Sequence, residues 1–205
     1  MKKIWKPSFE VNDLQIKSKK LLCSSYLKLL NYNIKIKLFK DKNTKIITRE
    51  LFISKNNVSI LLFDPYTKYI LFVEQFRIGN IKKNPWSLEI ISGNIDSGSD
   101  NILNSVLKET KEESSINCID IFYLLSYLNS PGISNEKTYL YLGIFSSYKY
   151  KKNNGFVIGV KDEDIKVHLY SLKQALFFID KGLIYNPSTI IGLLWLKNKY
   201  YDILM

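Results

Sequence analysis

Histidine is nearly absent from this chain: His168 is the single one in 205 residues, alongside two cysteines, two methionines and five prolines. A lone histidine inside the strand-like stretch IKVHLY (165–170) reads as a half-buried strand residue and leaves no room for His-based triads. Cys23 and Cys118 have no second Cys or His at a ligand spacing, which excludes a disulfide framework or zinc knuckle and suggests reduced thiols in a cytoplasmic protein. No apolar run approaches the ~18 residues of a spanning helix, and IIGLLWL (190–196) is only a short core segment. The opening MKKIWKPSFE is basic but lacks an apolar stretch, so a signal peptide is not expected. Acid is also scarce, with 19 Asp and Glu against 30 Lys and Arg. The imbalance is local. Residues 1–50 carry twelve lysines and Arg49 against Glu10, Asp13, Asp41 and Glu50, a net +9 of the total +11. Such a region can attract nucleic acid or a phosphorylated ligand. The lysines are dispersed along strands without an RNA-binding pattern, so they read as solvated faces and nucleic acid is not an expected partner.

What is present is a globular composition, 46% hydrophobic and 24% charged, enough for one large domain or one domain with an appendage. Period-2 alternation predicts strands at NIKIKLF (33–39), TKIITRELFIS (44–54) and a more buried VSILLFD (58–64). The turn DPYTK (64–68) then returns the chain through YILFVEQFRI (69–78) as a hairpin. SLEIIS (87–92) reads as a strand leading into a Gly loop, and the stripe of Ile102, Leu103, Val106 and Leu107, continued by Thr110, predicts a helix over 100–114. Strands at about 118–128 and 137–146 follow, then a polar loop near 149–163 and the strand IKVHLY. Ser171 with Gln174 forms a capping box for a helix ending at Gly182, and Asn186-Pro187 opens a last helix through about Tyr201. Mixed strands with a few helices give an α+β class with an α/β/α sandwich core.

In this basic chain the segment SLEIISGNIDSGSDNILNSVLKETKEESSI (87–116) gathers acid. On a helix Glu109 neighbours both Glu112 and Glu113, and like charges at those spacings repel by a few tenths of a kcal/mol each. A divalent cation relieves that repulsion, and hard cations such as Mg²⁺ take carboxylate oxygens beside substrate phosphates. An ordinary solvated helix face, balanced by Lys108 and Lys111, fits the helix equally well.

The segment resembles the Nudix box, Gly-x5-Glu-x7-Arg-Glu-U-x-Glu-Glu-x-Gly-U. Gly93 opens it, Lys108-Glu109 stands at Arg-Glu, Glu112-Glu113 match the paired glutamates and Ile116 closes it. One extra loop residue puts Asp100 at the first acidic position, Lys108 replaces Arg, and Ser115 replaces the closing Gly. LFVEQFRI (71–78), PWSLEIISG (85–93), LNSPGISNEK (128–137) and EDIKVHLYS (163–171) are similar, in order and spacing, to the bacterial ADP-ribose pyrophosphatase subfamily.

That resemblance implies a Nudix fold of mixed β-sheets flanked by helices, with residues 1–54 as an N-terminal strand region exchanged in a homodimer and 55–205 as the hydrolase domain. It implies Mg²⁺-dependent hydrolysis of ADP-ribose to AMP and ribose 5-phosphate, with Mn²⁺ as an alternative ion. Glu109, Glu112, Glu113 and the Ser92 carbonyl match metal-ligand positions; Arg49, Arg77, Asn94 and Glu136 match substrate-contacting ones. The catalytic set implied is Glu113 with a base on the late loop. Ungapped register puts Lys161 at the base position, and a one- or two-residue shift brings Asp162 or Glu163 there, Glu163 having the longer reach. Two alternatives stand beside this reading: a Nudix hydrolase for another nucleotide sugar such as GDP-mannose, and a Nudix fold with eroded catalysis that holds nucleotide or RNA.

Overall fold

The computed structural model describes residues 4–25, 27–40, 44–95, 101–148, 150, 157–160 and 163–204, with backbone alone at 157–160, 163 and 200–204. The chain divides into two compact units, residues 1–54 with 128–136, and residues 55–127 with 137–205.

The first unit is an antiparallel sheet, β1 (Leu14–Ser24), β2 (Lys28–Lys37) and β3 (Thr44–Ile53), in that order. Alternation puts Leu14, Ile16 and Leu21 opposite Ile36, Ile34 and Leu30, with Ile47 and Leu51 on β3 completing one apolar face. The register slips between Ile16 and Ser18 and again between Leu21 and Cys23, so two bulges interrupt the β1 pattern. For that reason β1 is invisible to a period-2 reading. Every β1 side chain is exposed. The loop 128–136 docks on β3: Phe52 donates its N–H to the Ile133 carbonyl at 2.8 Å, and Ser54 N–H donates to Asn135 Oδ1 at 2.9 Å.

The second unit holds β4 (Asn57–Asp64), β5 (Tyr69–Phe76), β6 (Trp86–Glu89), β7 (Ile91–Asn94), α1 (Ile102–Ser114), β8 (Asp120–Leu128), β9 (Lys137–Ile144), β10 (Val157–Val160), β11 (Glu163–Ser171), α2 (Leu172–Asp180) and α3 (Pro187–Leu204). The sheet runs β10-β11-β5-β4-β9-β8, with β6 added to β5 and β7 to β4. β4 pairs parallel with β9 and antiparallel with β5, but the β4–β5 pairing covers only Leu62–Asp64 against Tyr69–Leu71. Beyond it the two strands part, β4 taking β7 and β5 taking β6.

The stretch read as one strand at 87–92 is therefore two. At Ile90 the chain changes partner, and the Ile90 N–H donates to Thr189 Oγ1 of α3 at 3.0 Å. The loop expected near 149–163 contains β10, which pairs with β11 from Val160↔Glu163 to Val157↔Lys166.

Buried on both faces, β4 alternates between two cores. Val58, Ile60 and Leu62 join Leu71, Val73, Ile91 and the α1 residue Val106. Leu61 and Phe63 join Ile70, Phe72, Leu140 and the α2 and α3 residues Ala175, Leu193 and Leu196. With α1 on one face and α2 and α3 on the other, the α/β/α sandwich is realised. The caps behave as read: Ser171 and Gln174 form the reciprocal box, Gly182 has φ 67°, and Asn186 Oδ1 accepts from Thr189 N–H at 3.0 Å.

Candidate active site

The acidic helix separates its glutamates. Along α1 the residues turned to the sheet are Ile102, Val106, Thr110 and Ser114, with Glu109 and Glu113 on the same face, one turn apart. Glu113 is 5% exposed, Glu109 is half-buried, and Glu112 lies exposed at the flank. Burying a carboxylate is costly unless charge or hydrogen bonds compensate it, so Glu109 and Glu113 are not parts of a merely solvated face.

Gly93 explains where Glu109 lies. It is a strand residue of β7, paired with Val58, rather than the start of a loop. A Cβ built on Gly93 would fall inside the Glu109 carboxylate. Any side chain there would evict the glutamate, so glycine allows the carboxylate to lie directly against Gly93. Ser92 and Asn94 flank it on β7, Asn94 exposed.

These residues fit a hard divalent cation in kind. The donors offered are all oxygen, carboxylates and a strand carbonyl, and the glycine cradle brings one carboxylate onto that backbone. Among the described residues, no group of three His, Cys, Asp or Glu side chains is drawn close enough to form a ready-made metal cluster. Ser115, at the place of the box's closing glycine, ends α1 in the left-handed conformation (φ 56°, ψ 21°), so the backbone keeps the turn without the residue that favours it. Lys108 is exposed. Asp100 and Asp162 lie outside the described residues.

Arg77 follows β5, and its guanidinium grips Glu89 of β6, with Nε at 3.3 and 3.2 Å from the two carboxylate oxygens and Nη2 at 3.0 Å from Oε2. Glu89 escaped the sequence reading. Its one signal was an acidic residue directly before the apolar pair Ile90-Ile91.

In the first unit, Arg49 stands on β3 in a cross-strand row with Tyr32 and Lys19 that interrupts the apolar face. The Lys19 ammonium sits 5.7 Å from the Tyr32 ring centroid. Glu136 belongs to the loop that docks on β3, and its Oε1 accepts from Asn129 Nδ2 at 2.7 Å. Glu163 opens β11 as the residue paired with Val160, so it begins a strand at the end of a hairpin instead of lying in an open loop.

Two groups stand apart from this chemistry. His168 bonds Glu74 through Nε2 at 2.7 Å and stacks on Tyr170, the half-buried strand histidine expected. Burial pushes the Cys118 thiol up to about 11, which makes it a poor nucleophile.

No protein-family model matches the chain. It is 32% identical over 197 residues to an ADP-ribose pyrophosphatase of Haemophilus influenzae, spanning 94% of this chain and 89% of that one. An ADP-ribose pyrophosphatase of Escherichia coli is 28% identical, over 93% and 90% of the two chains. A GDP-mannose pyrophosphatase of Escherichia coli is 27% identical, over 88% and 93%. The crystal structure of an ADP compounds hydrolase superposes with a TM-score of 0.65 at 13% identity, covering 94% of this chain and 98% of that one, a likeness of fold. Taken with the box helix seated on Gly93, the similarity to the Haemophilus enzyme, which runs nearly end to end, shows that the chain belongs to the ADP-ribose pyrophosphatase family of Nudix hydrolases.

Proposed function

We propose that this chain is a pyrophosphohydrolase that cleaves ADP-ribose to AMP and ribose 5-phosphate with the help of Mg²⁺, Mn²⁺ being the alternative ion. The observation that carries the reading is the Glu109 carboxylate lying on the Gly93 backbone, one helical turn from the buried Glu113. Glu109, Glu113, the flanking Glu112 and the Ser92 carbonyl would hold the cation. Bound there, a divalent ion neutralises phosphoryl charge and lowers the pKa of water.

The rest falls to the chain's own side chains. Arg77 and Arg49 bind phosphoryl oxygens through their planar forks. Asn94 and Glu136 hold the substrate by hydrogen bonds, Glu136 as an acceptor for sugar hydroxyls. Glu163, with Asp162 as second candidate, takes the proton of the attacking water as a new P–O bond forms. The bond to the bridging oxygen breaks and leaves that oxygen on the departing phosphate. Glu113 serves beside it in the catalytic set through its buried carboxylate.

We further infer a cytoplasmic homodimer. The free thiols Cys23 and Cys118 support a reducing compartment, and no helix among the described residues is long and apolar enough to cross a membrane. The exposed β1, with Leu14, Ile16 and Leu21 on an apolar face, supports exchange of the region before residue 54 between two subunits. Light scattering should give twice the 24.0 kDa chain mass; the single-chain mass would rule the exchange out.

The 27% identity to a GDP-mannose pyrophosphatase gives a second substrate reading. Chromatography of reactions with ADP-ribose and GDP-mannose, each with Mg²⁺, separates them. AMP and ribose 5-phosphate from the first support the proposal, turnover of GDP-mannose alone transfers it, and turnover of neither favours a nucleotide-binding module.

A further inference from the structure

The β5–β6 hairpin changes character along its length. Val73, Gln75 and Arg77 alternate onto one side, with Glu89 opposite Val73 and Ser87 opposite Gln75. Val73 belongs to the apolar core beneath α1. Glu89 lies across from it, and Gln75 and Ser87 form the next pair on that side, all three buried, with Glu89 2% exposed. Gln75 Nε2 and Ser87 Oγ have no hydrogen-bond partner among the described residues, so the strands present a buried polar ledge beside the ion pair. Among the described residues every hydrogen bond to the Glu89 carboxylate comes from Arg77, while 41% of the Arg77 side chain stays exposed.

We infer that Glu89 is a positioning residue: its buried carboxylate sets the plane of the Arg77 guanidinium so that the arginine meets the substrate's phosphoryl oxygens edge-on. The inference rests on the reading of Arg77 as a phosphate contact. Both oxygens are engaged, and a two-point grip fixes rotation as well as distance. A surface ion pair is worth little because water screens it and both chains lose freedom; here one partner is already held in the strand and shielded. The geometry assigns Glu89 to orientation because Arg77 spends its Nε–Nη2 edge on Glu89, which fixes the direction of its Nη1 edge. A guanidinium so held loses less freedom when it meets a phosphate than one swinging in solvent.

The test uses the full-length protein and steady-state kinetics with ADP-ribose and Mg²⁺, with calorimetric binding of AMP as a second readout. Arg77→Ala should raise KM at least tenfold and weaken AMP binding in parallel. Glu89→Gln should raise KM by a similar factor with kcat changed less than threefold, and the double variant should be no worse than Arg77→Ala alone. Glu89→Asp, which keeps the charge but shortens the grip, should give the same KM rise and serves if the glutamine variant fails to fold. An unchanged KM in Arg77→Ala would remove the underlying reading of Arg77, and this inference with it. A raised KM in Arg77→Ala with both Glu89 variants within twofold of wild type would overturn the positioning role alone. So would fold-changes that multiply in the double variant, since independent residues behave that way.

Discussion

Gly93 is the residue where one added atom decides most. Gly93→Ala should keep the fold, because the atoms it meets belong to the mobile end of Glu109, yet push that carboxylate off the backbone. Disturbing what orients a metal ligand typically costs 10–100-fold in metal affinity, so the Mg²⁺ concentration for half-maximal activity should rise at least ~10-fold on that basis. An unchanged Mg²⁺ titration would separate Glu109 from the metal. Ser115→Gly at the end of α1 should stabilise. A left-handed non-glycine residue is strained by roughly 1–2 kcal/mol, partly offset by the looser unfolded glycine chain; thermal melting should show a gain of up to about 1 kcal/mol. Asp64 organises the β4–β5 turn, accepting from Tyr66 N–H at 2.9 Å and Ser147 N–H at 2.7 Å. Burial raises its pKa, but the bonds from Ser147 and Thr67 outweigh it and hold the carboxyl at about 2, below the usual 3.8. A depressed folded pKa means the stabilisation is complete above pH ~4 and is lost as pH falls towards about 2. Melts from pH 5 to pH 2 should therefore fall more steeply for wild type than for Asp64→Asn, and parallel curves would contradict this.

At the scale of elements, alternation and caps were legible wherever the pattern was unbroken. β4 and β5, the Ser171 box and the Asn186 cap follow from local sequence because their local preferences agree with their packing. Four elements resisted reading, each for a physical reason. β1 carries two bulges that break its period, β6 and β7 follow one another without a turn signal and change partner at Ile90, and β10 is four residues long. The last matters for chemistry, because the β10–β11 hairpin brings Glu163 to a strand end whose connecting residues include Asp162. Proton transfer by a positioned base is typically worth 10²–10⁴-fold. Glu163→Gln is therefore expected to reduce kcat by ~100-fold or more with KM little altered. If Glu163→Gln and Asp162→Asn both leave kcat within a few-fold, the base is another residue, with Glu136 or a box glutamate next in line.

Over the whole molecule, the site was legible as residue types but not as an arrangement. The box spacing put Glu109, Glu112 and Glu113 together on one helix, yet which of them is buried depends on how α1 meets the sheet, and Glu113 rather than Glu112 faces it. Glu89 joined Arg77 through strand pairing between residues twelve positions apart, a relation no local pattern encodes. The charge map follows the same division. The first 50 residues hold most of the positive charge, while the three box glutamates, Glu109, Glu112 and Glu113, lie on one helix of the second unit. If this acidic helix is a cation site for cleaving a pyrophosphate, activity must follow the metal. The most direct measurement is the rate of AMP formation from ADP-ribose by wild-type protein, followed through chelation and then restoration of Mg²⁺. The rate should fall to background in chelator and return in full with the metal, while Glu113→Gln should show no such return. AMP release that persists at the same rate in excess chelator, or full activity in Glu113→Gln at limiting Mg²⁺, would contradict it.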